Sequence, residues 1–154
     1  MIKLKPLIIS LLITLGGGGL VAFLIRNSMD IYSNIKQPAL APPAAVFPIV
    51  WTLLYVLLGI SAYMIYESHS PLKNKALVVY GTQLLLNFIW PFIFFGGQMF
   101  LLAFIVLMVM WALSIWMIVL FYQIKPIAAY LQISYILWLT FAAYLNLSIY
   151  LLNR

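Results

Sequence analysis

Five long apolar runs, separated only by short polar or Pro/Gly-containing breaks and one longer loop, dominate this chain. They cover about residues 6–25, 44–66, 75–95, 99–122 and 127–152. An α-helix needs about 20 apolar residues to cross the hydrocarbon of a bilayer, so each run is long enough to span. Only 6% of the 154 residues are charged, whereas 67% are hydrophobic. A soluble domain carries roughly a quarter charged residues, and this chain could not clothe a water-facing surface with so few. Inside lipid, every backbone N–H and C=O has to find its partner within the protein, which leaves helices or a closed barrel. The runs are continuous and do not alternate with period two, which speaks against a barrel. The expected fold class is therefore an all-α integral membrane protein. Residues 1–154 form a single membrane domain, a five-helix transmembrane bundle.

The breaks carry the organisation. The first run follows Lys3 and Lys5 and resembles a secretory signal. It exceeds the roughly 7–15 apolar residues of a signal core, and no clear A-x-A cleavage site directly follows it, so it is read as a retained helix. Its Gly16-Gly17-Gly18-Gly19 would weaken a helix in water, but in lipid small residues let helix backbones approach closely. Two readings stay open for it: a kink or loose packing, or a close helix contact, within the chain or in a homodimer. Residues 26–43, with Asp30, Lys36, Pro38, Pro42 and Pro43, are longer than a link between neighbouring helices requires, and are read as a lid loop. Pro42-Pro43 suits the start of the second helix, where a missing N–H costs nothing. The net charge of +6 does not suggest nucleic acid. Its cations sit singly at run ends, where lipid headgroups lie. Lys3, Lys5, Lys73, Lys75 and Lys125 fall on the N-terminal side and Arg26, Lys36 and Arg154 on the other. That bias predicts a multi-pass cell-membrane protein with its N-terminus in the cytoplasm. No internal repeat supports an inverted-repeat transporter.

The titratable residues exclude several chemistries. Asp30 and Glu67 are the only carboxylates and His69 the only histidine, all in loops or at helix ends, and there is no cysteine. Nothing resembles a metal-ligand cluster, an acid–base pair or an activated nucleophile. No ionisable group stands mid-span, where proton-coupled transport needs one. The interior instead offers aromatics and a few amides. Helical spacing puts Gln83, Asn87, Trp90 and Phe94 on one face, and Tyr135, Trp138, Ala142 and Leu145 on another, with Asn146 one turn beyond Ala142. Phe47, Trp51 and Tyr55 form a third stripe. One reading makes the amides interhelical glue and the indoles interface anchors. The other makes them the walls of a cavity for a flat, apolar ligand with a few polar edges.

Several segments together resemble one family. They are Tyr32…Pro38…Pro42-Pro43, then Phe47-x-x-Val50-Trp51-x-x-Leu54-Tyr55-x-x-x-Gly59. Farther on come Gln83-Leu84-x-Leu86-Asn87-x-x-Trp90-Pro91-x-Ile93-Phe94-Phe95-Gly96 and Tyr135-x-x-Trp138-x-x-Phe141-Ala142-x-x-Leu145-Asn146. In order and spacing they are similar to the translocator proteins, also called tryptophan-rich sensory proteins or peripheral benzodiazepine receptors (TspO/MBR), in their bacterial form. The resemblance implies five helices around a pocket for protoporphyrin IX or a related tetrapyrrole, bound as ligand or substrate, with no cofactor. By position, the implied ligand-binding residues are Tyr32, Pro42, Phe47, Trp51, Tyr55, Asn87, Trp90, Trp138, Ala142 and Leu145. Two departures stand out. The loop reads Lys36-Gln37-Pro38 where the family has Lys-Pro. The position that carries a pocket aromatic in animal members is Leu101 here, which counts against animal-type drug affinity.

Some bacterial members are reported to break down protoporphyrin in light. With no acid, base, thiol or metal ligand at hand, the oxidisable indoles of Trp51 and Trp138 become the catalytic candidates. Leu147, Tyr150 and Arg154 fit a loose sterol-binding pattern that many helix ends meet by chance, so sterol is not an expected partner. The leading expectation is a tetrapyrrole-binding sensor or regulator, with light-dependent porphyrin degradation as a further activity. The alternatives are a transporter of porphyrins or other apolar metabolites and a structural or signalling membrane partner.

Overall fold

The computed structural model describes Met1 to Arg154, and every regular element in it is helical. Five helices are long and apolar enough to cross a membrane: α1 (Leu4–Ser28), α3 (Val46–Tyr66), α4 (Lys73–Gly96), α5 (Phe100–Ile124) and α6 (Pro126–Asn153). The short α2 (Ile31–Asn34) lies in the loop after α1. The protein is a multi-pass, five-helix membrane bundle.

Three of the spans are not uniform. In α1 a π-helical turn covers Leu12–Gly16, and the helix closes with a 3-10 turn at Arg26–Ser28. In α4 the regular helix ends at Pro91, which has no N–H to donate to Asn87 and whose ring crowds the preceding turn. The chain responds with a π-helical turn over Phe92–Gly96. The Gly97 N–H then reaches back to the Phe92 carbonyl at 2.8 Å, and Gln98 adopts a left-handed φ of 51° before α5 begins. In α6 the helix breaks between Tyr130 and Ile133. Contacts with α3 brace the break: Gln132 Nε2 donates to the Ser61 hydroxyl at 2.7 Å and to the Leu57 carbonyl at 3.1 Å. Ser61 in turn donates to the Ala128 carbonyl at 3.1 Å.

The glycine run of α1 resolves into two faces. A Cβ on Gly17 would stand 2.5 Å from the Phe88 ring and one on Gly18 2.3 Å from the Tyr55 ring, whereas nothing lies within 4 Å of Gly16 or Gly19. The close helix contact of the sequence reading is present within the chain at Gly17 and Gly18, and the π-helical turn runs into the glycine run at Gly16. One turn earlier Gly59 of α3 receives α1, with the Leu11 Cα 3.2 Å from its Cβ position and the Ser10 hydroxyl donating to its carbonyl at 2.7 Å.

The bundle is solid at one end and hollow at the other. Toward the chain N-terminus, Leu58, Ile65, Leu107, Met110, Met117, Phe121, Tyr135 and Leu139 are sealed from solvent in one continuous core. At that end Lys3 forms an ion pair with Glu67 at 2.7 Å, and the hydrogen bond and charge of Glu67 raise the pKa of Lys3. Toward the other end only a small cluster of Tyr32, Phe94, Ala103 and Ile149 closes beneath the loop. There the Asn153 side chain clips the loop to the end of α6. Its Oδ1 accepts the Lys36 N–H at 2.9 Å and its Nδ2 donates to the Lys36 carbonyl at 2.9 Å.

Candidate functional site

The hollow end is a cavity of about 270 Å³ between α1, α3, α4, α6 and the loop. Helix α3 supplies Phe47, Trp51 and Tyr55. Helix α4 supplies Asn87, Trp90, Phe94 and Phe95, and α6 supplies Trp138, Ala142, Leu145 and Asn146. The loop adds Asp30, Tyr32 and Ser33. Each helix contributes side chains three, four or seven apart, so a single stripe of each faces the space. Helix α5 contributes no wall residue.

Aromatic rings meet edge to face around much of this wall. Tyr32 packs on Phe47 with centroids 5.1 Å apart and planes at 80°, and Phe47 on Trp138 at 5.9 Å and 70°. Trp138 stands perpendicular to Trp51 at 6.5 Å, and Trp51 leans on Tyr55 at 5.5 Å. Across the cavity Trp90 stacks on Phe94 at 4.9 Å. Edge-to-face pairs of this kind are favoured by the ring quadrupole, so the indoles hold fixed orientations with no ligand needed to set them.

Hydrogen bonds tie the polar wall groups to the solid half. The Tyr55 hydroxyl donates to Asn87 Oδ1 at 2.6 Å. Asn87 Nδ2 donates to the Tyr135 hydroxyl at 3.0 Å, and Tyr135 donates to Gln83 Oε1 at 2.6 Å. Gln83 and Tyr135, placed by helical spacing on the faces of Asn87 and Trp138, thus sit behind the wall as its support. Trp90 Nε1 donates to Asn146 Oδ1 at 3.1 Å, and Asn146 Nδ2 donates to the Phe100 carbonyl at 2.8 Å. An interhelical bond of this kind in lipid is worth about 0.6 kcal/mol, so what the chain of bonds chiefly supplies is orientation.

Nine of the ten residues that the resemblance marked for ligand binding line the cavity: Tyr32, Phe47, Trp51, Tyr55, Asn87, Trp90, Trp138, Ala142 and Leu145. Pro42 does not. It acts one step removed, its carbonyl accepting the Tyr32 hydroxyl at 3.0 Å. Burial beneath the loop raises the pKa of that hydroxyl. Leu101 is lipid-exposed and lies outside the wall, as do Leu147, Tyr150 and Arg154. The sequence reading missed the α1 side of the cavity, formed by Gly18, Val21, Ala22 and Ile25, together with Asp30. Only the glycine run signalled that α1 comes close to anything.

A sequence model described as the TspO/MBR family matches residues 9–152. The tryptophan-rich protein TspO of Archaeoglobus fulgidus is 34% identical over 98% of this chain and 99% of its own length. The tryptophan-rich sensory protein of Cereibacter sphaeroides is 35% identical over 79% of this chain and 76% of its own. The human translocator protein is 33% identical over 80% of this chain and 75% of its own. Matched from its first span to its last, and with four of its five helices closing on a tryptophan-lined cavity, this chain belongs to the TspO/MBR family.

Proposed function

We propose that this protein is a cell-membrane sensor, with its N-terminus in the cytoplasm, that binds protoporphyrin IX or a related tetrapyrrole in the cavity under the loop. The observation that carries this reading is the pair of perpendicular indoles, Trp51 and Trp138, at 6.5 Å in a mostly apolar wall. A flat macrocycle lying along one indole meets the edge of the other, and Ala142 leaves the adjoining strip of α6 thin. The closed cavity is slightly below the roughly 300–1,000 Å³ usual for small-molecule sites. The loop therefore lifts to admit a macrocycle, and part of the ring stays at the mouth.

The same indoles support a light-dependent oxidative breakdown of the bound ring, in which dissolved dioxygen is the oxidant and an indole passes an electron to the photoexcited ring. Indole gives up an electron more readily than the other wall side chains, and no thiol, imidazole or carboxylate pair competes with it inside the bundle. The test is a titration of purified protein with protoporphyrin IX, followed by its Soret band in darkness and then under illumination. Saturable binding in the dark at one ring per chain is expected, with bound porphyrin decaying faster in light than porphyrin in protein-free lipid. Non-saturable uptake equal to that of empty lipid would overturn the binding reading. Equal decay rates would overturn the breakdown alone.

A further inference from the structure

The solid half of the bundle carries a second concavity, on its outer face. A groove of about 460 Å³ runs between α4 and α5. It is separate from the cavity, to which α5 contributes nothing. Val79 and Leu113 are the more buried of its lining residues, and Val78, Thr82 and Trp116 the exposed ones. The Thr82 hydroxyl makes no demand on an occupant, because it donates to the Val78 carbonyl at 2.8 Å. From Lys75 to Thr82 the groove follows α4 for two turns, about 10 Å at 1.5 Å per residue. It thus starts at the membrane interface and descends into the hydrocarbon, where the only medium available to fill it is an acyl chain.

The interfacial end of the groove is rich in hydrogen-bond donors. Lys75, in the first turn of α4, holds its ammonium 5.4 Å from the centroid of the Trp116 ring. That distance permits cation–π attraction, which keeps the charge over the groove. Neither this ammonium nor the Trp116 indole N–H has an acceptor in the protein, whereas the Trp90 and Trp111 indoles donate to Asn146 and Thr140. Lys73 is already engaged, donating to the Tyr66 carbonyl at 3.2 Å. The chain cannot supply the missing negative charge. It has two side-chain carboxylates: Asp30 lies at the opposite end of the bundle, and Glu67 is taken by Lys3 at 2.7 Å.

We infer that the α4–α5 groove is a binding site for one anionic phospholipid. Its phosphate meets the Lys75 ammonium, its ester oxygens accept from the Trp116 indole N–H, and one acyl chain lies along Val78, Val79 and Leu113. The charges and donors match: the headgroup brings acceptors and a negative charge to a site that has donors and a positive one. A zwitterionic lipid brings an ammonium of its own, which competes with Lys75 for the same phosphate. Free phosphate would satisfy the lysine and leave the apolar groove unfilled, so the lipid is the better occupant. The site is independent of what the cavity holds.

The experiment is native mass spectrometry of the full-length protein, titrated with phosphatidylglycerol or with phosphatidylcholine of the same chains. It counts the lipids retained and gives an affinity for each. Wild type should retain one phosphatidylglycerol more tightly than phosphatidylcholine. Lys75→Gln should weaken phosphatidylglycerol about fivefold and leave phosphatidylcholine within about twofold, and Lys75→Arg should restore the preference. Val78→Trp fills the groove without altering charge and should weaken both lipids. Lys75 is exposed and Val78 is 68% exposed, so neither change enters the core, which a thermal unfolding curve checks. Lys5→Gln and Lys125→Gln remove exposed cations of the same end and should have little effect. Equal retention of the two lipids by wild type would overturn the inference. So would equal losses from Lys75→Gln, Lys5→Gln and Lys125→Gln, which would mean diffuse surface charge, or unchanged lipid affinity in Val78→Trp. A dimer that excludes lipid and is lost in Val78→Trp would seat a second copy of the chain in the groove and overturn it as well.

Discussion

Asn153, at the last turn of α6, holds Lys36 of the loop by both faces of its peptide, one hydrogen bond to the N–H and one to the carbonyl, each 2.9 Å. Two points of attachment fix the loop in angle as well as position, and they lie beside the mouth of the cavity. Each bond is worth about 1 kcal/mol net. Loss of both bonds, about 2 kcal/mol, means that Asn153→Ala should speed ligand dissociation by up to about thirtyfold, with little change in association. Stopped-flow release of protoporphyrin IX measures it. Pro42→Gly should act in the same direction but less strongly, since it loosens the segment whose carbonyl anchors Tyr32 without cutting an attachment. Wild-type release in both variants would mean that ligand leaves by a path the loop does not cover.

Ala142 is the small residue of the α6 stripe, between Trp138 and Leu145 in the wall. Ala142→Leu fills the strip beside the indole at the edge of the sealed core, against which Ala142 is only partly buried, so the protein should still assemble. Affinity for porphyrin should fall by at least about tenfold, a cost of about 1.4 kcal/mol, which lies within the roughly 1–3 kcal/mol of overpacking. A titration beside a thermal unfolding curve separates lost binding from lost fold. Undiminished affinity in a stable variant would place the ligand elsewhere.

Replacing Trp51 or Trp138 with Phe keeps a ring in the wall. Stacking contributes about 0.5–1.5 kcal/mol beyond burial, so binding should weaken by no more than about tenfold. Light-driven breakdown should respond differently, because benzene is a poor electron donor where indole is a good one. Each variant is expected to retain binding and lose nearly all of the photochemical decay at saturating occupancy. Decay equal to wild type in both would leave a binding protein with no photochemistry of its own.

An odd number of spans places the chain ends on opposite faces. Cysteine introduced in place of Ile2 and of Arg154, in a chain with no native thiol, should label from opposite sides of a sealed vesicle. The residue-2 site should be reached from the cytoplasmic side. Labelling of both from one side contradicts five crossings, and the reverse sidedness contradicts the lysine-based orientation.

The spans were legible because apolar length is all that a bilayer asks of a helix. Their ends were less so. Lys73 lies just outside the run read from residue 75, yet it opens the first turn of α4, where long apolar stems let the charged tips of Lys73 and Lys75 reach the interface. The α6 break was invisible, because Gln132 becomes tolerable there only through Ser61 and Leu57, about 70 residues earlier in sequence. Within the cavity, the stripes of α3, α4 and α6 could be read from helical spacing, since each announces itself by an amide or an indole in an apolar run. The share of α1 could not. Gly18 is part of the wall because it lacks a side chain, and whether an absent side chain admits a neighbour or merely loosens a helix depends on where Tyr55 comes to rest. Asp30 was visible only as a loop charge, since its place at the rim is set by the turns on either side of it.

The cavity descends as far as Tyr55, Asn87 and Trp138 and stops where the sealed core begins. Below it lies packed protein: Tyr135 and Gln83, behind the wall, are tied to Asn87 and to each other by hydrogen bonds. Passage of a ligand from the hollow half through the bundle to the other half would have to break those bonds and part the sealed core around them.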